Sequence, residues 1–167
     1  MPGAACRYRR STCTPARPLA GPLVDFTTIN TTTATNLAAR RRCSLCGEPI
    51  GYWVAFLGGP RAAELMVYAD PPGCPDCMRA AMRVCPYIAL GRHRRARADR
   101  PGAGIIPTGA SADKPDRWLL GITRAYRSVF LPDQGFTAYL PAPFRAVHTY
   151  TYGADGRIDP HPTTRRR

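Results

Sequence analysis

The arrangement of apolar and polar positions divides the chain into readable and unreadable stretches. In residues 43–90, "GYWVAFLGG" carries consecutive bulky residues and reads as a strand. "GGPRAAE" then reads as a turn region and "LMVYAD" as a returning strand, with "PPG" breaking the sheet. "CPDCMRAAMRVC" reads as a short helix, because Met78, Ala81, Met82 and Cys85 fall at i, i+3, i+4 and i+7. Pro75 suits its first turn, Asp76 favours the positive N-terminal end, and Pro86 stops it.

Residues 115–160 read as antiparallel β structure. "RWLLGITRAYRSVFL" predicts one long strand with Gly121 in mid-run, and "GFTAYL" a second strand stopped by Pro141. "FRAVHTYTY" predicts a third, alternating Val147, Thr149 and Thr151 with His148, Tyr150 and Tyr152. "GADGRI" predicts a tight turn into a short fourth strand, since Asp-Gly accommodates positive φ. The expectation is an α+β protein in which this sheet packs on the 43–90 unit.

Residues 1–42 are poor in large apolar side chains and rich in Arg, Pro, Ala and Thr, so they read as a basic, largely disordered arm. A start downstream of Met1 is compatible with that composition and would leave Cys6 and Cys13 outside the working protein. Residues 91–114 lack periodicity and read as an Arg-rich linker, and 161–167 as a basic tail. No solenoid-length repeat is visible.

Charge sharpens this division. The net charge is +13, and Lys114 is the only lysine. Residues 1–42 carry +6, residues 91–100 carry +4 and the terminal "RRR" +3, whereas residues 43–90 carry −1. Basicity therefore sits in the arm, linker and tail. Such segments suit polyanions, because each Arg–phosphate contact releases counterions; they equally suit a solvated, unpaired end. No apolar run reaches the roughly 18 residues of a membrane span. No apolar core follows the N-terminal arginines as in a secretory signal. A cytoplasmic location is the expectation.

In a reducing compartment, close-set cysteines read as metal ligands before disulfides. Five of the seven cysteines lie in 43–90, as Cys43-x2-Cys46 and Cys74-x2-Cys77 with Cys85 beyond. A Cys-x2-Cys turn can place two thiolates on one tetrahedral Zn2+. Gly47 lets the chain reverse after the second ligand, and Pro49 stiffens the exit. Cys43, Cys46, Cys74 and Cys77 are thus the candidate ligands of one structural zinc. Cys85 lies too far along the helix to join easily and reads as a small core residue, with substitution for one of the four as the alternative.

Knuckle, hairpin, then a helix whose first turn supplies the second ligand pair is the order in which the region resembles the treble-clef zinc-finger superfamily. "CxxCG…GYWVAF.GGP…DPP…C…CP" also looks like a stretch found in small zinc-binding proteins of actinobacteria and their phages. The near-absence of lysine is in keeping with a GC-rich source of that kind. That resemblance brings no activity with it. The treble clef also underlies HNH-type nucleases, which need a histidine in the hairpin. Residues 51–70 contain none, since the histidines are His93, His148 and His161. Four cysteines would moreover close the coordination sphere that a catalytic zinc leaves open. No nucleophile–base arrangement and no phosphate-binding glycine loop can be argued.

The expected function is that of a non-enzymatic zinc-binding protein that binds DNA or RNA mainly through charge, with low sequence specificity. Arg40, Arg41, Arg42, Arg92, Arg94, Arg95 and Arg97 are the candidate phosphate contacts. Tyr126, Tyr139, Tyr150 and Tyr152, with Arg124, Arg127 and Arg145, form either a base-stacking sheet face or ordinary core and cross-strand pairs. The alternative function is a zinc-scaffolded adaptor that docks a protein partner on a strand edge or on the hairpin tip at 57–61.

Overall fold

The structure is a computed structural model that describes the backbone of Cys13–Pro15 and Val24–Ile29 together with residues 31–93 and 113–166. Its elements run β1 (Cys13–Pro15), β2 (Val24–Ile29), α1 (Thr31–Ala39), β3 (Val54–Gly58), α2 (Pro60–Leu65), α3 (Pro75–Val84), α4 (Pro86–Ala89), β4 (Arg117–Thr123), β5 (Tyr126–Leu131), β6 (Phe136–Pro141), β7 (Ala146–Thr151) and β8 (Thr163–Arg166). The architecture is α+β with antiparallel sheets.

The organising strand is β3, every residue of which is buried. "VAFLG" is apolar without alternation because both of its faces are covered. Its hydrogen-bonding partner is β4, in the register Val54↔Thr123 to Gly58↔Leu119, and the sheet continues in the order β3-β4-β7-β8. Strands β1 and β2 form a separate antiparallel pair.

Alternation along this sheet separates two cores. Val54 and Phe56 face one way, into a cluster with Tyr68, Tyr139, Phe144, Ala38 and three of the knuckle and helix cysteines. Ala55 and Leu57 face the other way, with Leu120, Ile122, Trp118 and Tyr150, and this second face is covered by Met78 and Met82 of α3. The β5–β6 hairpin lies over the first core and turns through a 3-10 segment, Pro132–Gln134, capped by Gly135 at φ 66°.

Several sequence expectations change. "LMVYAD" forms no returning strand: Gly59 and Pro60 instead open the short helix α2, which ends at Met66 in the left-handed region, φ 54°. Pro at the first helical position and two alanines make the helix the easier local structure. The expected returning strand is absent, β3 pairs with β4 instead, and within 65–70 only Tyr68 makes a bridge, to Tyr139. The predicted long strand from Arg117 splits at 124–125 into β4 and β5, which enter different sheets. Buried Thr123 marks the corner, its Oγ1 donating to the Ala142 carbonyl at 2.9 Å.

Residues 31–42, expected as part of an unpacked arm, contain α1, and its Ala34 and Ala38 are buried. Small residues at helical spacing suffice here because α1 needs only a narrow apolar stripe against β5 and β6. The remaining disorder expected for residues 1–30 lies outside the described residues, apart from the backbone of β1 and β2. The basic tail supplies β8, paired to β7 from Ala146↔Arg166 to Thr149↔Thr163. The "GADGRI" turn forms as expected, with Gly156 at φ 72° and an isolated Tyr152↔Ile158 bridge.

Lys114 draws the two ends of the expected linker together. Its ammonium donates to the Leu90 carbonyl and to the His93 carbonyl at 3.2 Å, beneath the rings of Tyr87 and Tyr152. Among the described residues, no helix is long and apolar enough to cross a membrane.

Candidate metal centre

The knuckle forms because the chain around it is pinned on both sides. The Cys43 amide donates to the Glu48 carbonyl at 2.8 Å and the Gly47 amide to the Cys43 carbonyl at 2.9 Å. Gly47 holds φ 74°, a conformation in which a Cβ would crowd the following carbonyl. Arg42 and Pro49 bridge the base of the loop, and the Arg42 guanidinium donates to the Gly47 carbonyl at 2.8 Å.

The second ligand pair sits where α3 begins. Cys74 is the N-cap residue, Pro75 follows in the first turn, and Cys77 is buried within that turn. The "PPG" segment before it carries this helix end to the knuckle: Ser44 bonds through its amide to the Pro72 carbonyl at 3.2 Å and through its hydroxyl to the Pro71 carbonyl at 3.3 Å.

These two anchors bring Cys43, Cys46, Cys74 and Cys77 together, with all four Sγ atoms within 4.8 Å of one another. Cys46 Sγ and Cys74 Sγ are 3.9 Å apart. Cys43 Sγ accepts from the Cys74 amide at 3.2 Å and from the Leu45 amide at 3.4 Å. The positive end of α3 lies at the same place and opposes the negative charge a thiolate set accumulates. Three of the four cysteines are buried and the fourth is half-buried, so the sulfurs face one another more than solvent. Cys85 lies outside the cluster, half-buried at the C-terminal cap of α3. The four-sulfur group can hold one metal ion, and its soft donors suit zinc.

The candidate phosphate contacts do not gather into one group. Arg40, Arg41, Arg42 and Arg92 are exposed. Arg41 holds φ 51°, donates to the Arg124 carbonyl at 3.3 Å and lies 5.6 Å from the Tyr126 ring centre, while Arg42 closes the knuckle. Both have structural work beside any contact with a ligand. Arg94, Arg95 and Arg97 lie outside the described residues.

The four sheet tyrosines are built into the fold and do not form a stacking face. Tyr139 and Tyr150 are buried. Tyr126 donates its hydroxyl to the Ala38 carbonyl at 2.6 Å, and Tyr152 donates to the Ile88 carbonyl while accepting from Trp118 Nε1 at 2.8 Å. Burial raises the pKa of Tyr126, Tyr139 and Tyr152. The proposed docking tip is also used internally, since Leu57 and Gly58 are buried. The far edge of β3 is held by Gly73.

Exposed aromatic surface appears elsewhere. Tyr52 and Trp53, 61% and 39% exposed, precede β3 and pack edge to face. The Arg124 guanidinium lies 4.8 Å from the Tyr52 ring centre and 5.6 Å from that of Trp53. Two open clefts meet beside this group. One, about 600 Å³, has Trp53, Arg79, Arg145, His148 and Arg166 among its walls. The other, about 350 Å³, shares Arg79 and His148 and adds Arg83, Asp159 and Thr164. Sequence reading missed this convergence, because Arg79 lies on α3, Arg145 and His148 around β7, and Arg166 on β8. The available signal was the short "YW" pair at the mouth of the buried strand. In comparisons with known proteins, no family model, no curated protein and no solved structure matches the chain.

Proposed function

We propose that the chain is a non-enzymatic nucleic-acid-binding protein built around one structural Zn2+. The observation that carries the metal reading is the closed set of four cysteine sulfurs. Zinc–sulfur bonds of about 2.3 Å at tetrahedral angles place sulfurs roughly 3.8 Å apart, close to the 3.9 Å between Cys46 and Cys74. Four protein ligands leave no position for a catalytic water, which supports a structural role. A knuckle followed by a ligand-bearing helix start is also what supports kinship with treble-clef zinc fingers, with β4 standing in for the usual hairpin partner.

The nucleic-acid reading rests on charge: a +13 chain in which Arg40, Arg41, Arg42 and Arg92 are exposed and further arginines line an open cleft. Zinc would hold the framework rigid while arginines contact phosphates, giving affinity with little sequence preference. The test is titration of zinc-loaded protein with short DNA and RNA at about 50 and 200 mM salt, over which phosphate-driven binding weakens by about 10³-fold for six contacts. Loss of that order supports the reading. Absence of binding at the lower salt overturns it, and salt-independent association with a protein partner alone would favour the adaptor.

A further inference from the structure

The two clefts share Arg79 and His148 as walls; together they are called the trough, and their position follows from how α3 sits on the sheet. In the sheet register Ile122 pairs with Ala146, Leu120 with His148 and Trp118 with Tyr150. Across β7, Ala146 pairs with Arg166 and His148 with Thr164. All these residues therefore share one face. Helix α3 covers that face mainly over β3 and β4, where Met78 and Met82 share a core cluster with Ala55, Leu57 and Leu120. Tyr150 of β7 joins that cluster and is buried, whereas Ala146 and His148 of β7 and the β8 residues beyond them are less covered, and the flank of α3 becomes the wall of the clefts there.

The chemistry of that wall is cationic. Arg79, Arg83, Arg145 and Arg166 line the trough against two carboxylates, Asp76 and Asp159. Asp76 and Arg79 form an exposed ion pair of 2.9 Å along the flank of α3. Asp159 accepts from the His161 amide at 2.8 Å. His148 lies at the junction of the two compartments, with its Nδ1 2.8 Å from Thr164 Oγ1. Trp53 is among the walls of the larger compartment, in contact with Arg124 and Tyr52. An arginine-lined channel ending on an aromatic ring is the pairing that a phosphodiester with an unstacked base requires. A duplex buries its base faces and cannot stack on the ring.

We propose that this trough binds single-stranded nucleic acid, with phosphates on Arg79, Arg145 and Arg166 and a base stacked on Trp53. The proposal rests on the nucleic-acid reading above and narrows it to one strand form and one surface. Arg79 lies on α3, Arg145 just before β7 and Arg166 on β8, so the seat exists only in the folded chain. The two compartments, of about 600 and 350 Å³, lie on either side of Arg79 and His148.

The test titrates the full-length, zinc-loaded chain with a short oligothymidylate, following tryptophan fluorescence, and compares Trp53→Phe, Trp53→Ala and Arg145→Ala/Arg166→Ala. Trp118 is buried, so quenching reports on Trp53. Quenching in the wild type is expected, and it should vanish in Trp53→Phe. Trp53→Ala should weaken binding at least about fivefold. The arginine pair should weaken it about tenfold or more and lower the salt slope by about two. All the substituted side chains are solvent-exposed, and unchanged zinc content and circular dichroism verify the fold of each variant. If the wild type binds and all variants match it, the trough is idle and the proposal falls, while charge-driven binding elsewhere on the chain stands. If the wild type fails to bind at low salt, both readings fall. Equal affinity for a duplex of the same length, or for polyglutamate, would overturn the single-strand and stacking assignment.

Discussion

Ala55 and Gly73 exchange both backbone hydrogen bonds, at 2.9 and 3.0 Å, and so fasten the residue before Cys74 to the central buried strand. The pairing leaves no room at Gly73. A Cβ there would stand 2.8 Å from Met78 Cε and 3.0 Å from Cys43 Sγ. The methionine tip can swing away, but a ligand sulfur held on a metal cannot. Gly73→Ala is therefore expected to lower zinc affinity about tenfold or more while the chain still folds at saturating zinc, as changes beside metal ligands do. Competition with a chromophoric chelator measures it, and unchanged affinity would show that Cys43 has slack.

Cys46→Ser and Cys77→Ser should lose the metal and much of the fold. The cluster ties the knuckle to α3, and structural zinc contributes about 10 kcal/mol or more in small finger peptides. Metal content by mass spectrometry and far-ultraviolet circular dichroism with and without chelator check this together. A chain that remains folded and equally heat-resistant in chelator would mean that the two hydrophobic clusters hold the structure alone.

Gly121 faces the ring of Phe144, whose Cε1 would lie 2.3 Å from an added Cβ. Gly121→Ala forces the ring or the β3–β4 sheet to move, and overpacking of this kind costs about 1–3 kcal/mol. Phe144→Leu should recover part of that loss in the double variant, a coupling readable from urea midpoints. Strictly additive effects would place the strain elsewhere.

Tyr68 is 2% exposed, packed on Phe56 at 4.9 Å between ring centres, and its hydroxyl has no hydrogen-bond partner among the described residues. Burial drives its pKa far above the usual tyrosine value. A desolvated hydroxyl without a partner costs about 1–3 kcal/mol, so Tyr68→Phe should leave stability unchanged or raise it by about 1 kcal/mol. Chemical denaturation decides the sign, and a clear loss of stability would reveal a partner for the hydroxyl.

His148 has its pKa lowered by burial and by the positive charges of Arg79 and Arg166. The native state therefore binds fewer protons than the unfolded chain around the ordinary histidine value of about 6.5. The contribution of neutral His148 is complete above that value and is lost as pH falls below it. Melting temperature should decline between pH 7 and about pH 5.5, and His148→Asn should flatten that decline. An identical slope in the variant would assign it to other groups.

The local chemistry of the metal centre was legible in the sequence. Cys-x2-Cys with a following glycine, and a second pair at a proline-marked helix start, are determined by a few consecutive residues, and the structure brings the four sulfurs together. The α3 stripe was equally legible, because Met78, Ala81 and Met82 repeat at helical spacing and all are buried. The partner of β3 was not. A strand apolar on both faces states only that both are covered, and "LMVYAD" was the nearest candidate while β4 was the actual one.

The sequence by itself determined what is set by neighbours in the chain: the knuckle, the helix start, the turn at Gly156, and the excess of arginine. The tertiary structure alone decided which tyrosines became core, and that Trp53, Arg79, Arg145, His148 and Arg166 would meet in one trough. Burial of a tyrosine depends on what strand pairing places above it, and a charge cluster assembled from three elements has no period along the chain. Long-range pairing is chosen by the fit of whole faces, which no short stretch of residues encodes.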